Sequence, residues 1–160
     1  MEINVLIDGV PEWGLEVGWL QRLAEQVLVA QGADLGVELG LVVTSQERVR
    51  QLNRSYRGKD APTDVLVFSM LPAEGEKGAD FPPFIVPPDG MNHLGEVIIS
   101  YPQAVIQAEE HQHSASREIT ILIIHGVLHL LGYEHDKPEL RHQMVTREEE
   151  ILSQIDPDNK

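Results

Sequence analysis

The segment REITILIIHGVLHLLGYEH, residues 117–135, decides the fold of this chain. Apolar residues occupy nearly every side of a helix drawn through it, which is typical of a helix buried among other elements. His125 and His129 are four residues apart, so their imidazoles project from one face on successive turns. Gly132 stands where a helix favours a left-handed residue after its last turn. The chain can therefore turn back and bring His135 to the same point.

The spacing H-x3-H-x5-H predicts a metal site at His125, His129 and His135. Three neutral imidazole nitrogens can hold one ion and leave a fourth tetrahedral position open for water or substrate. Burying three such rings without a common partner would cost several kcal/mol. We therefore expect one Zn²⁺ per chain, although histidine ligands also accept other divalent metals.

The same histidine spacing occurs in the metzincin proteases. Those enzymes need a glutamate directly after the first histidine as general base, and here that place is held by Gly126. A zinc metallohydrolase or peptidase of metzincin-like geometry is an alternative interpretation, but the peptidase base is missing.

Length and composition are those of one domain. A chain of 160 residues can bury a sizeable core without staples, and the lack of cysteine excludes disulfides and thiolate metal sites. The N-terminus, MEINVLIDGV, has no basic signal region, and the longest apolar run, 119–131, is too short to span a bilayer. We expect a soluble, cytoplasmic protein with residues 1–160 in a single domain.

The formal charge of −14 argues against a polyanionic partner, because long-range repulsion lowers the encounter rate with nucleic acid. Basic residues are nevertheless concentrated in one segment. Of the 12 Lys and Arg residues, five fall within residues 45–60: Arg48, Arg50, Arg54, Arg57 and Lys59. A solvated helix face and a surface that guides an RNA backbone both explain this pattern.

Hydrophobic periodicity predicts four strands and about five helices. The predicted strands are residues 2–8, 37–43, 65–68 and 94–100. The predicted helices cover 15–31, a segment from a cap at Thr44 to about 55, a segment capped by Ser100 to about 113, the histidine helix capped by Ser114 or Ser116, and a segment from Asp136 to about 154. Pro and Gly make residues 70–92 a long loop. The expected fold is α+β, a mixed four-stranded sheet with one possible antiparallel member and the histidine helix at its centre.

Three blocks of the sequence occur in a characteristic order. Residues 125–135 read HGVLHLLGYEH, close to H-G-x-L-H-L-x-G-Y-D-H. Residues 52–68 match L-N-x-x-Y-R-G-x-D-x-P-T-D-V-L-S-F, with Val67 in place of serine, and residues 94–100 resemble L-G-D-I-x-I-S, with Glu96 in place of aspartate. These blocks closely resemble the YbeY family of single-strand-specific endoribonucleases that mature ribosomal RNA, over residues 37–152.

The resemblance implies a zinc ion on His125, His129 and His135 and a catalytically required arginine at Arg57. It also implies a sheet of three parallel strands and one antiparallel strand. The implied function is maturation of the 3′ end of small-subunit rRNA and ribosome quality control. The implied partners are single-stranded RNA, the small ribosomal subunit, one of its proteins and the GTPase Era. Glu134 and Glu96 replace family aspartates, so hydrogen bonds made by these side chains are expected to be arranged differently.

The mechanistic hypothesis combines the metal with Arg57, whose guanidinium can hold two oxygens of one phosphate. Arg48, Arg50, Arg54 and Lys59 would guide the RNA backbone. A salt bridge from Arg57 to Asp60 or Asp64 is the structural alternative.

Two other interpretations concern the acidic and histidine residues outside the motif. The run 148–150 is interpreted as a solvated helix face, and His111, His113 and His142 as surface or capping residues. For the whole chain, a non-catalytic ribosome-assembly factor with a structural metal is the remaining alternative.

Overall fold

A computed structural model describes residues 1–9, 14–33, 36–58, 63–69, 92–133 and 137–155. The predicted site residues Lys59 and His135 lie outside these ranges. The predicted loop 70–92 also lies outside them, except for its last residue. The elements are β1 (Glu2–Asp8), α1 (Val17–Ala30), β2 (Val37–Thr44), α2 (Gln46–Arg57), β3 (Val65–Ser69), β4 (Asn92–Ser100), α3 (Tyr101–Glu110), α4 (Ala115–Leu130) and α5 (Pro138–Ile155).

The four strands form one mixed sheet in the order β1-β2-β4-β3. β1 pairs with β2 and β2 with β4 in parallel, while β3 pairs with β4 antiparallel at the edge. The α+β prediction with three parallel strands and one antiparallel strand is therefore confirmed. Gly95 permits the β3–β4 pairing, because it has φ +133° and a Cβ there would stand 2.0 Å from the Phe68 carbonyl oxygen.

The sheet is covered unequally on its two faces. Residues such as Leu41, Val97 and Ile99 join the main core with α1 and α4, whereas Ile98 on the other face packs with Val49 of α2. Side chains alternate along each strand, so adjacent residues of β4 serve different faces. Among the described residues, no helix combines the length and apolar composition needed to cross a bilayer.

Helix α4 is the central buried helix that the sequence predicts. Ile119, Ile123, Val127, Leu128 and Leu130 are each at most 1% exposed. Burying one such side chain contributes roughly 1.5–3 kcal/mol. Packing on several sides therefore holds this helix in place.

Serine hydroxyls begin three of the helices. The Ser100 Oγ accepts from the Gln103 N–H at 3.2 Å and the Ser114 Oγ accepts from the Arg117 N–H at 3.1 Å, so Ser114 rather than Ser116 caps α4. The predicted cap at Thr44 is wrong. Ser45 caps α2, because β2 continues through Thr44, whose hydroxyl is fully buried and donates to Asp8 Oδ2 at 3.2 Å.

Helix α4 lies close against the sheet at Gly126. A Cβ at this position would lie 2.6 Å from Val97 Cγ1, well inside van der Waals contact. The residue after the first histidine therefore faces β4, and the space that a peptidase glutamate would need is filled by a strand.

Gly126→Ala is expected to lower the melting temperature. Overpacking a core typically costs about 1–3 kcal/mol, which outweighs the helix preference of alanine. Gly18→Ala is the matched control, since a Cβ there meets only the end of the flexible Arg22 side chain, at 3.3 Å. Thermal unfolding measures both variants, and a Gly126→Ala protein as stable as the parent would contradict the packing argument.

Candidate functional site

His125 and His129 lie side by side on α4. Their ring centroids are 4.6 Å apart and the ring planes cross at 76°. The helix ends one residue after His129, Leu131 caps it, and Gly132 follows with φ +105°. The predicted pair of rings and the glycine turn are thus both present. The third predicted ligand, His135, lies beyond the described part of this turn.

Glu148 of α5 contacts the first of these histidines. Its Oε2 lies 2.5 Å from His125 Nδ1, and the two side chains are 20% and 32% exposed. A carboxylate at Nδ1 favours the tautomer with its N–H on that nitrogen, which leaves Nε2 as the nitrogen that could coordinate a metal. Glu148 is therefore a half-buried partner of a candidate ligand.

The interpretation of residues 148–150 as a solvated face is wrong for Glu148. The signal that could have identified it is helical spacing, because Glu148 lies four residues after Met144 and three before Ile151. Both of those residues are at most 1% exposed in the core. Glu148 is therefore half-buried beside the buried residues of α5, while Glu149 and Glu150 are exposed.

Helix α2 presents a basic surface, as its pattern predicts. Arg48, Arg50 and Arg54 are exposed, whereas Val49 is completely buried beneath them. Arg57 is the last residue of α2, and Gly58 follows with φ +73° as a left-handed cap. The position of the Arg57 side chain is outside the described features.

Strand β3 packs against both the basic helix α2 and the histidine helix α4. α2 and α4 lie on opposite faces of the sheet, and β3 is its edge strand. Val65 and Val67 of β3 pack with the α4 core, whereas Leu66 and Phe68 pack with α2. The β3 edge is therefore one place where a bound molecule could reach both helices.

Asp64, directly before β3, is held by neighbouring groups. Its Oδ1 accepts from the Val65 N–H at 2.8 Å and from the Thr63 hydroxyl at 3.3 Å, and its Oδ2 accepts from Gln107 Nε2 at 3.2 Å. Its carboxylate joins the start of β3 to α3.

A second group of polar side chains surrounds Glu118, which is 2% exposed. Its Oε1 lies 2.5 Å from His113 Nε2 and 3.1 Å from His111 Nδ1, and its Oε2 accepts from Gln107 Nε2 at 2.9 Å. Burial alone would raise the pKa of Glu118, but the hydrogen bonds from His113, His111 and Gln107 hold that pKa below its ordinary value of 4.5. His111, His113 and Glu118 are close enough together to bind a metal ion.

The surface or capping interpretation is correct for His142, which is exposed, and incomplete for His111 and His113. His111 does follow α3 as its C-cap, but both rings turn toward Glu118. α3 ends at Glu110 rather than at His113, because Gln112 adopts φ +59° and breaks the helix.

Glu96 and Glu134 are the two glutamates that replace family aspartates. Glu96 is exposed and alternates with Val97, so it lies on the sheet face opposite α4. It is therefore not positioned behind the histidines. Glu134 lies outside the described residues.

Comparison with known proteins gives a consistent result. The family profile described as Endoribonuclease YbeY matches residues 16–156. An Endoribonuclease YbeY of Dehalococcoides mccartyi is 51% identical over 135 residues, covering 84% of this chain and 78% of that protein. Another from the same species is 44% identical over 155 residues and covers 97% of both chains. One from Chloroflexus aurantiacus is 44% identical over 135 residues, covering 84% and 83%.

A solved structure shares the fold. The solution structure of TM1509 from Thermotoga maritima has a TM-score of 0.55 and 24% identity to this chain, and the match covers 99% of both chains. The profile match spans most of the sequence, including α4 and the basic helix. This chain therefore belongs to the YbeY family.

Proposed function

We propose that this chain is a metal-dependent endoribonuclease that cuts single-stranded RNA. Its proposed role is maturation of the 3′ end of small-subunit rRNA and ribosome quality control. The reaction class comes from the relatives, which are named as endoribonucleases. The observation that supports a metal centre is the contact of Glu148 with His125 beside the His129 ring.

The proposed ligands are His125, His129 and His135, holding one Zn²⁺. The two described rings fit this role, since they stand on successive turns and His125 is oriented through Nδ1. When bound at three histidines, zinc supplies Lewis acidity toward a phosphoryl oxygen and a water that ionises near neutral pH.

Arg57 is the proposed catalytic partner of the metal centre. It ends α2, beside the connection to the edge strand that contacts α4. A guanidinium can donate two parallel hydrogen bonds to one phosphate and stabilise the charge that builds there in the transition state. Arg48, Arg50, Arg54 and Lys59 are proposed to hold neighbouring phosphates of the strand.

Residues 1–160 act as one domain in the cytoplasm, where the rRNA substrate is made. The small ribosomal subunit, one of its proteins and the GTPase Era are the proposed partners. Peptide hydrolysis is not favoured, because position 126 faces Val97 and carries no base.

Cleavage of a fluorescent single-stranded RNA tests the proposed activity. The parent should cut, and His129→Ala should lose cleavage together with the zinc ion proposed at His125, His129 and His135. Arg57→Ala should keep the metal and lose about 10²–10³-fold in rate, as for loss of a donor to transition-state charge. If a metal-replete parent cuts no faster than Arg57→Ala, the catalytic proposal is wrong and a non-catalytic assembly role takes its place.

Glu148→Gln is expected to weaken zinc binding about 10–100-fold, because the charged group that orients His125 is lost. Competition with a chromophoric chelator measures the affinity. Glu149→Gln is the matched control, since its exposed side chain is the next residue of the same helix. Equal affinities for the two variants would show that Glu148 does not support a metal ligand.

Replacing Arg48, Arg50 and Arg54 with alanine should weaken binding to single-stranded RNA and reduce its salt dependence. The slope of log K against log salt is negative, and each lost phosphate contact makes it less steep by about 0.7. Fluorescence anisotropy at several salt concentrations gives this slope. Arg141→Ala on α5 is the control. An unchanged slope in the triple variant would mean that these arginines form only a solvated helix face.

A further inference from the structure

We infer that His111, His113 and Glu118 form a second divalent-metal site, separate from the one proposed at His125, His129 and His135. The ligand atoms come from the α3–α4 connection and the first turn of α4. Nothing in the proposed nuclease mechanism uses them.

The three ligand atoms already converge. Both imidazoles direct a nitrogen at the same oxygen, Glu118 Oε1, at 2.5 Å from His113 and 3.1 Å from His111. All three ligand atoms lie within 4.8 Å of one another. Ligand atoms on a tetrahedral zinc, with bonds of 2.0–2.1 Å, stand about 3.3 Å apart. Small rotations of the two rings, with each ring proton moved to the other nitrogen of its ring, would therefore admit an ion between the two nitrogens and the carboxylate oxygen.

The backbone of the connection explains why two nearby histidines face one carboxylate. His111 ends α3, Gln112 adopts a left-handed φ of +59°, and Ser114 caps α4. This reversal places the His111 and His113 rings with centroids 5.5 Å apart. Glu118, in the first turn of α4, projects between α3 and α4 to meet them.

The carboxylate is oriented from behind. Gln107 donates through Nε2 to Glu118 Oε2 at 2.9 Å, which leaves Oε1 facing the two rings. The same Nε2 lies 3.2 Å from Asp64 Oδ2, so a second carboxylate adds negative charge nearby. Hydrogen bonds of this kind hold the ligands of protein metal sites in position.

The ligand chemistry selects the kind of ion. Two imidazole nitrogens and one carboxylate oxygen suit Zn²⁺ and other first-row divalent ions, whereas Ca²⁺ and Mg²⁺ favour oxygen ligands alone. The same two-histidine, one-glutamate set serves zinc hydrolases. The His111 side chain is 56% exposed, so an ion could enter from solvent while the Glu118 end stays buried.

The second site is too far from the first for the two ions to share one phosphate. Glu118 and His125 are seven residues apart on α4, about 10.5 Å along the helix axis, whereas two-metal catalysis needs about 4 Å. An ion here would tie the end of α3 to the start of α4 and, through Gln107, to Asp64 directly before β3. Its expected effect is on stability.

Zinc stoichiometry in the metal-depleted full chain tests the inference, with four proteins compared. The parent should bind two equivalents, His129→Ala and Glu118→Gln one each, and the double variant none. The zinc equivalent that Glu118→Gln loses tests this site, and the equivalent that His129→Ala loses tests the proposed nuclease site. The two proposals can therefore fail separately. Zinc should raise the melting temperature of His129→Ala and leave that of the double variant unchanged.

His111→Ala gives a second test in a side chain too exposed to be needed for folding. It should weaken zinc binding at this site at least tenfold, whereas His142→Ala, an exposed histidine on α5, should match the parent. If neither Glu118→Gln nor His111→Ala changes the zinc count or affinity, the inference is overturned and the cluster serves as a hydrogen-bonded connection between α3 and α4.

Discussion

The close contact of α4 with β4 at Gly126 and Val97 is the constraint on which the arrangement of the site depends. It sets the rotation of α4 about its own axis. With about 100° per residue, Glu118, His125 and His129 all point about 60–100° to one side of the direction in which Gly126 faces the sheet. These three polar residues of α4 therefore share one flank, where α3 and α5 contact two of them.

That flank is where the acidic partners meet the histidines. Glu148 of α5 contacts His125, and His111 and His113 contact Glu118 in the first turn of α4. Charges in such partly or wholly buried positions need partners, because desolvation disfavours the ionised form. Hydrogen bonds overcome this penalty at Glu118, whose pKa is held low. The flank of α4 thus combines oriented imidazoles with a carboxylate kept negative.

The edge strand β3 relates the basic helix α2 to the histidine helix α4. Its alternating side chains pack with α4 on one face of the sheet and with α2 on the other. The sheet therefore separates the exposed arginines of α2 from the histidines of α4. These arginines form a basic surface on a chain that is acidic overall. Arg57 is the last residue of the same helix. Close to the arginines of α2, their local charge rather than the net charge of the chain governs contact with an anion, because salt screens distant charges.

Periodicity and spacing alone were enough to predict the mixed sheet, the buried helix, the pairing of His125 with His129 and the outward arginines. The mixed sheet follows from the order of strands and helices along the chain. The helix faces depend on residues within a few positions of one another, because helix geometry determines which face a side chain occupies. Even at this range Thr44 was misassigned, since a buried strand end outweighed a good capping pattern.

Only the tertiary structure could decide the partners. Glu148 and His125 are 23 residues apart, and Gln107 and Asp64 are 43 apart. Their contacts follow from how α3, α5 and β3 pack against α4. The sequence by itself determined which side chains α4 presents, whereas packing decided which carboxylates meet them, because local periodicity carries no information about distances between separate elements.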